Sequence, residues 1–117
     1  MQDITICHNP QCSKSRQTLA LLRSYSIEPT IIHYLETPPS TQQLRSLLKH
    51  SQLSVQDIIR TKEPLYQELN IADLKLDDDE LLVLLSQHPI LIERPIVYND
   101  TLTVIGRPPE NVLELLL

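Results

Sequence analysis

Two cysteines stand five positions apart near the N-terminus, Cys7 and Cys12, and only the second is placed where a thiol could do chemistry. Cys12 follows Asn9-Pro10-Gln11 and opens the stretch Cys12-Ser13-Lys14-Ser15-Arg16, at the junction between an apolar run and an apparent helix. A thiol at a helix N-terminus faces backbone N–H groups that lack intrahelical partners and favour its anion. Lys14 and Arg16 add positive charge beside it. A thiolate held in this way is a nucleophile or a redox group, whereas Cys7, inside the apolar run, reads as a core residue. A pair of cysteines without Cys/His clusters supports neither a disulfide framework nor a structural zinc site. His8, His33, His50 and His88 are scattered without the helical spacing that would pair two of them on one face, so no metal is expected.

The elements around the thiol follow from periodicity. Asp3 to Cys7 alternates about Ile4 and Ile6 and ends at Asn9-Pro10, which predicts a strand running into a turn. From Ser13 to Tyr25 the positions Leu19, Ala20 and Leu22 recur with helical spacing, opposite Lys14, Arg16, Gln17 and Arg23. Thr30 to Leu35 reads as a second strand, and a strand, helix and strand of this size imply a parallel pair with a right-handed crossover. Prolines and Ser40 or Thr41 ahead of Leu44, Leu47 and Leu48 start a mainly helical segment, about residues 40–88. Within it Ser54 to Ile59, Pro64 to Leu69 and Leu76 to His88 read as further helices, the last with an acidic start suited to the helix dipole. Two β-rich runs, "ILIERPIVYND" and "TLTVIG", meet at the Asn99-Asp100 turn signal, and "PPENVLELLL" predicts a short apolar helix docked on the sheet.

A chain of 117 residues is expected to form one domain, residues 1–117, with a continuous core. Its 15 acidic and 10 basic side chains give a net charge of -5, which repels nucleic acid and anionic membranes, so neither is expected as a partner. Neither a secretory signal pattern nor an apolar run long enough to span a bilayer is seen, and a cytoplasmic location is expected.

The order β-α-β, helical stretch, β-β-α suits a thioredoxin-like, or glutaredoxin-like, α/β fold: a mixed four-stranded sheet with flanking helices and a helical insertion. Four separated blocks strengthen this reading: "CHNPQCSKSR" after the first strand, "IIRTKEPLY", "IERPIVY" and "IGRPPE". In these blocks the chain resembles the ArsC family of arsenate reductases nearly end to end.

That resemblance implies an arsenate reductase. Cys12 attacks the arsenic of arsenate, and glutathione, as co-substrate rather than bound cofactor, resolves the adduct with glutaredoxin completing the reduction. It places Arg60, Arg94 and Arg107 around the thiol as catalytic and oxyanion-binding residues, for which planar, always-charged guanidinium forks are suited. His8 and Ser15 fall at positions that support the thiolate, and Arg94-Pro95 becomes a candidate cis peptide. Gly106, the sole glycine, is expected to relieve backbone crowding beside Arg107. Two related readings share the motifs: an Spx-type regulator that binds RNA polymerase, whose C-x-x-C switch is interrupted here by Ser15, and an ArsC-like thiol oxidoreductase acting on another oxyanion. A monothiol glutaredoxin is disfavoured because its glycine-rich glutathione site cannot be built from one glycine.

Overall fold

The computed structural model describes residues 3–116 and divides into two compact units. One consists of the chain up to Thr37 together with the chain from Arg94 onward, and the other is Pro38–Glu93.

The first unit holds strands β1 (Thr5–Cys7), β2 (Thr30–Ile32), β3 (Ile96–Tyr98) and β4 (Thr103–Ile105) in the order β2-β1-β3-β4. β1 runs parallel to β2 and antiparallel to β3, and β3 and β4 form an antiparallel pair. The register aligns Ile31, Ile6, Val97 and Val104 in one row across the sheet. Because side chains alternate between faces, this whole row points to one side. There it meets Leu19 and Leu22 of helix α1 (Ser13–Ser24) and Val112 and Leu115 of the 3-10 segment Pro109–Leu116, forming the core of the unit. α1 buries Ser15, Thr18, Leu19 and Leu22, a stripe of helical spacing, and ends where Ser26 takes a left-handed φ of 62° and Ile27 N donates to Leu22 O. The sheet order and mixed pairing are those expected of a thioredoxin-like fold.

The second unit is mainly helical: α2 (Thr41–Lys49), a 3-10 turn at Val55–Ile58, α3 (Pro64–Glu68), α4 (Ile71–Leu74) and α5 (Asp78–Gln87). Capping boxes open the longer helices, Ser40 with Gln43 on α2 and Asp77 with Glu80 on α5, each satisfying orphan N–H groups in both directions. Leu44, Ile58, Leu81, Leu82, Leu85, Leu91 and Ile92 are among its buried residues. A short antiparallel contact closes the unit: Ile59 bridges Ile92, Arg60 N donates to Leu91 O and Glu93 N donates to Ile58 O, both at 2.7 Å.

Several expectations are corrected. The run "ILIERPIVYND" is not continuous β structure: Pro89–Leu91 is a 3-10 turn, and the strand begins only at Ile96. Pro89 presets a turn, and Pro95 has no N–H to give to a ladder, so regular pairing starts after it. The Thr30 to Leu35 run is a strand only to Ile32, and a turn takes over from Tyr34. Ser54 to Ile59 and the C-terminal segment are 3-10 rather than α, and Ala20 is exposed. The single turn α4 was not foreseen; Asn70 and Lys75, both with left-handed φ, bracket four residues too few to show a period.

Candidate active site

The thiol loop is tied down from within the first unit. Asn9 is nearly buried, and its Oδ1 accepts from Gln11 N at 3.0 Å while its carbonyl accepts from Cys12 N at 3.0 Å. Arg16 Nη1 reaches back to donate to Pro10 O at 2.7 Å, and Arg16 N donates to Cys12 O at 3.0 Å. This turn delivers Cys12 as the N-cap of α1 in extended backbone (φ −98°, ψ 123°), with no side-chain cap at the helix end. The orphan N–H groups are therefore left for the sulfur.

Burial is the largest single influence on Cys12 and by itself raises its pKa. It is outweighed by the donors that face the sulfur: Ser15 N–H, the Arg94 side chain, Lys14 N–H and the positive charge of Arg94, which together bring the thiol below its ordinary value. Arg107 Nη2 stands 3.4 Å from Cys12 Sγ. Cys7 shows the opposite balance, since burial without compensating donors pushes it up to about 12. The chain thus holds one thiol made more acidic than usual and one that stays protonated.

Arg94 and Arg107 are interlocked. Arg107 Nε donates to the Arg94 carbonyl at 2.7 Å, so the backbone of one arginine fixes the side chain of the other. Arg94 begins the return into the sheet, and its guanidinium interacts with both Cys12 and the buried Tyr34. The Arg94-Pro95 peptide is cis, as expected, and so is Arg107-Pro108. His8 and Ser15, both buried, share a 2.6 Å hydrogen bond between Nδ1 and Oγ, and Asn9 N donates to the same Oγ at 3.0 Å. Burial foremost, then the charges of His33, Arg23 and Arg16, hold the His8 pKa below its ordinary value. Burial thus favours the neutral form of the His8 ring, whose Nδ1 holds Ser15 Oγ.

Of the residues singled out in the sequence, the structure brings Cys12, Arg94, Arg107, Ser15 and His8 into one hydrogen-bonded group. Arg60 belongs to the second unit, where Nη1 meets Glu93 Oε1 at 3.0 Å and Nε meets Glu63 Oε2 at 3.5 Å. Sequence reasoning missed Asn9 and Tyr34. The first carried a signal, an Asn before Pro in a tight turn; the second read as an ordinary strand residue. Gly106 is also reinterpreted: none of the glycine's backbone is left-handed, and it is needed because a Cβ there would lie 2.6 Å from Thr18 Oγ1 and 2.9 Å from Pro95 Cγ. Among the described residues no group of three His, Cys, Asp or Glu could hold a metal, and no helix is long and apolar enough to cross a membrane.

Known proteins resemble this chain over nearly its whole length. The chain is 48% identical over 116 residues to the arsenate reductase of Escherichia coli, which covers 99% of this chain and 82% of that one. It is 48% identical over 114 residues to the arsenate reductase of Haemophilus influenzae, with 97% and 98% covered. The structure of an arsenate reductase from Vibrio cholerae superposes with a TM-score of 0.92 at 50% identity, covering 97% of each chain. The ArsC family model matches residues 7–115, a span that takes in the thiol loop and both interlocked arginines, and the chain belongs to the ArsC family.

Proposed function

We propose that this protein is an arsenate reductase that forms an adduct on Cys12. The observation that carries the reading is the set of donors aimed at one depressed thiol, Ser15 N–H, Lys14 N–H, Arg94 and Arg107, on a chain about half identical to named arsenate reductases. Cys12 Sγ attacks arsenic(V) and an arsenate oxygen leaves as water, forming a sulfur–arsenic bond. The thiolate of glutathione displaces a second oxygen as water. A glutaredoxin thiolate then attacks the glutathione sulfur; the electron pair of the glutathione sulfur–arsenic bond stays on arsenic, which becomes arsenic(III), and a glutathione–glutaredoxin disulfide forms. Water completes the release of arsenite from Cys12.

Each residue has a physical task in this scheme. Arg94 and Arg107 supply paired, permanently charged donors for the tetrahedral oxyanion and for charge that grows on its oxygens. Arg60 is the third arginine of the family pattern; to take an oxyanion it would exchange a carboxylate partner, Glu63 or Glu93, for the ligand. Ser15 and His8 keep the thiol loop in place. An external thiol is required because Cys7, buried and protonated, makes a poor resolving group. Such chemistry uses free thiols and suits the reducing cytoplasm.

The test is arsenite production by the purified chain with glutathione and glutaredoxin, beside a pull-down with RNA polymerase. Turnover by the parent and none by folded Cys12→Ser supports the reading. A folded parent that makes no arsenite refutes it, and retention of RNA polymerase would then favour the Spx-type regulator.

A further inference from the structure

One side-chain amide nitrogen in the C-terminal 3-10 segment is committed to the bend that carries Arg107. Asn111 Nδ2 donates to Ile105 O and to Arg107 O, both at 3.1 Å, and Asn111 N donates to Pro108 O at 3.0 Å. The two carbonyls flank Gly106, so both protons of one primary amide bridge the turn by which the chain leaves β4. The neighbouring ties leave this bridge without a substitute. Thr18 Oγ1 has a single proton, which goes to Lys14 O at 2.7 Å, leaving Gly106 O at 3.3 Å as a weak second partner. Gly106 N donates to Pro95 O at 2.9 Å and fixes the start of the bend but not its exit.

From that bend the Arg107 side chain sets out toward Cys12, with Nε on Arg94 O at 2.7 Å and Nη2 at 3.4 Å from the sulfur. The side chain is held at two points, its backbone root and Nε on Arg94 O, so displacement of the root pulls against the Nε anchor and alters the reach of the planar guanidinium to the sulfur. At 3.4 Å the contact is an ordinary N–H···S hydrogen bond, and a site of this kind loses productive geometry with a shift of about 0.5 Å. Asn111 lies just beyond the "GRPPE" block and touches neither the thiol nor an arginine side chain in any of its hydrogen bonds.

We propose that Asn111 is a positioning residue for the Cys12 site, holding the Ile105–Arg107 bend so that the Arg107 guanidinium reaches the sulfur. The inference rests on Cys12 as the reactive thiol of the proposed reductase. Its deciding arm, the alkylation midpoint, needs no arsenate, so failure of the arsenate reading leaves it answerable.

The measurement is the pH dependence of Cys12 alkylation by iodoacetamide in the full chain, for the parent, Asn111→Ala, Asn111→Leu, Arg107→Ala and the double variant Asn111→Ala/Arg107→Ala, with circular dichroism as the fold control. In both Asn111 variants the alkylation midpoint is expected to move up toward that of an ordinary thiol, and arsenate kcat/KM to fall about tenfold. In the Arg107→Ala background the Asn111 change is expected to have no further effect on either. A parental midpoint in folded Asn111 variants overturns the proposal. So does an equal shift with and without the Arg107 guanidinium, because Asn111 would then act by another route. Loss of fold in both single variants overturns it as well, by making Asn111 a determinant of the fold rather than of Arg107.

Discussion

Replacing Gly106 by alanine tests how the sheet and the reactive helix are held together. A Cβ at this position meets Thr18 Oγ1 at 2.6 Å, Pro95 Cγ at 2.9 Å and Thr18 Cγ2 at 3.0 Å, all well inside van der Waals contact. Neither neighbour can step aside cheaply: Thr18 is fully buried, β-branched and bonded to Lys14 O, and Pro95 is a closed ring. The cost is that of overpacking a tight core, about 1–3 kcal/mol. With an unfolding entropy of roughly 2.1 cal/mol/K per residue, a chain of this size should lose about 4–12 °C in Tm. Thermal unfolding followed by circular dichroism gives the number. The Thr18→Ala background removes two of the three clashing atoms, so there Gly106→Ala should cost at least about 1 kcal/mol less, a coupling well within the range for residues in contact. If Gly106→Ala stays within about 0.5 kcal/mol of the parent, or if Thr18→Ala brings no relief, the close approach is not what demands glycine here.

Other outcomes follow from the same contacts. At pH 7 Cys12 should take up iodoacetamide while Cys7 stays unlabelled: a thiol near pKa 12 is ionised to only about one part in 10⁵ at that pH, and peptide mapping that found Cys7 labelled first would contradict the assignment. Arg94→Lys keeps the charge but loses the fork, so arsenate turnover should drop, and Arg94→Ala should drop further, by about 100- to 1,000-fold or roughly 3–4 kcal/mol; steady-state kinetics at the parental rate for both would refute the oxyanion role. His8 has a folded pKa below its unfolded one, so its neutral form contributes stability above the ordinary histidine pKa that is lost as pH falls through the folded value. Denaturant titrations of parent and His8→Gln should therefore converge on acidification, and parallel curves would argue against a buried neutral His8. Ser26→Gly should raise Tm slightly, since a left-handed serine is strained where glycine is not, and an unchanged or lower Tm would count against that strain.

How much of this was legible before the structure depended on the length and locality of each feature. β1, α1 and the Cys12 junction carry clear periodicity and a turn signal within twenty-odd residues, and they appear where the pattern put them. The mixed sheet could be inferred from element order. The three-residue strands were overextended, because an apolar run such as Thr30 to Leu35 does not show where pairing partners stop. What was illegible is the set of contacts between residues far apart in sequence: Arg107 on the Arg94 carbonyl, Thr18 against Gly106, and Tyr34 beside Arg94. No local pattern encodes them. The resemblance named Arg94 and Arg107 but could not say that one is braced by the backbone of the other, nor that Arg60 is met by two glutamates.

The sheet register has a kinetic consequence. β1 and β2 join through α1, and β3 and β4 through a short turn, so each pair can form locally; Ile6 and Val97, which lock the two pairs together, are separated by nearly the whole chain. Closing so large a loop carries an entropic barrier that local pairing does not, which makes this the late event in assembly. The Cys12 environment is split along the same line. Ser15 and Lys14 N–H groups arrive with α1, whereas Arg94 and Arg107 arrive only when the central strands zip. A newly made chain would therefore pass through a stage in which Cys12 is only partly acidified. Its reactivity during refolding would report, in real time, the moment at which the two halves of the sheet meet.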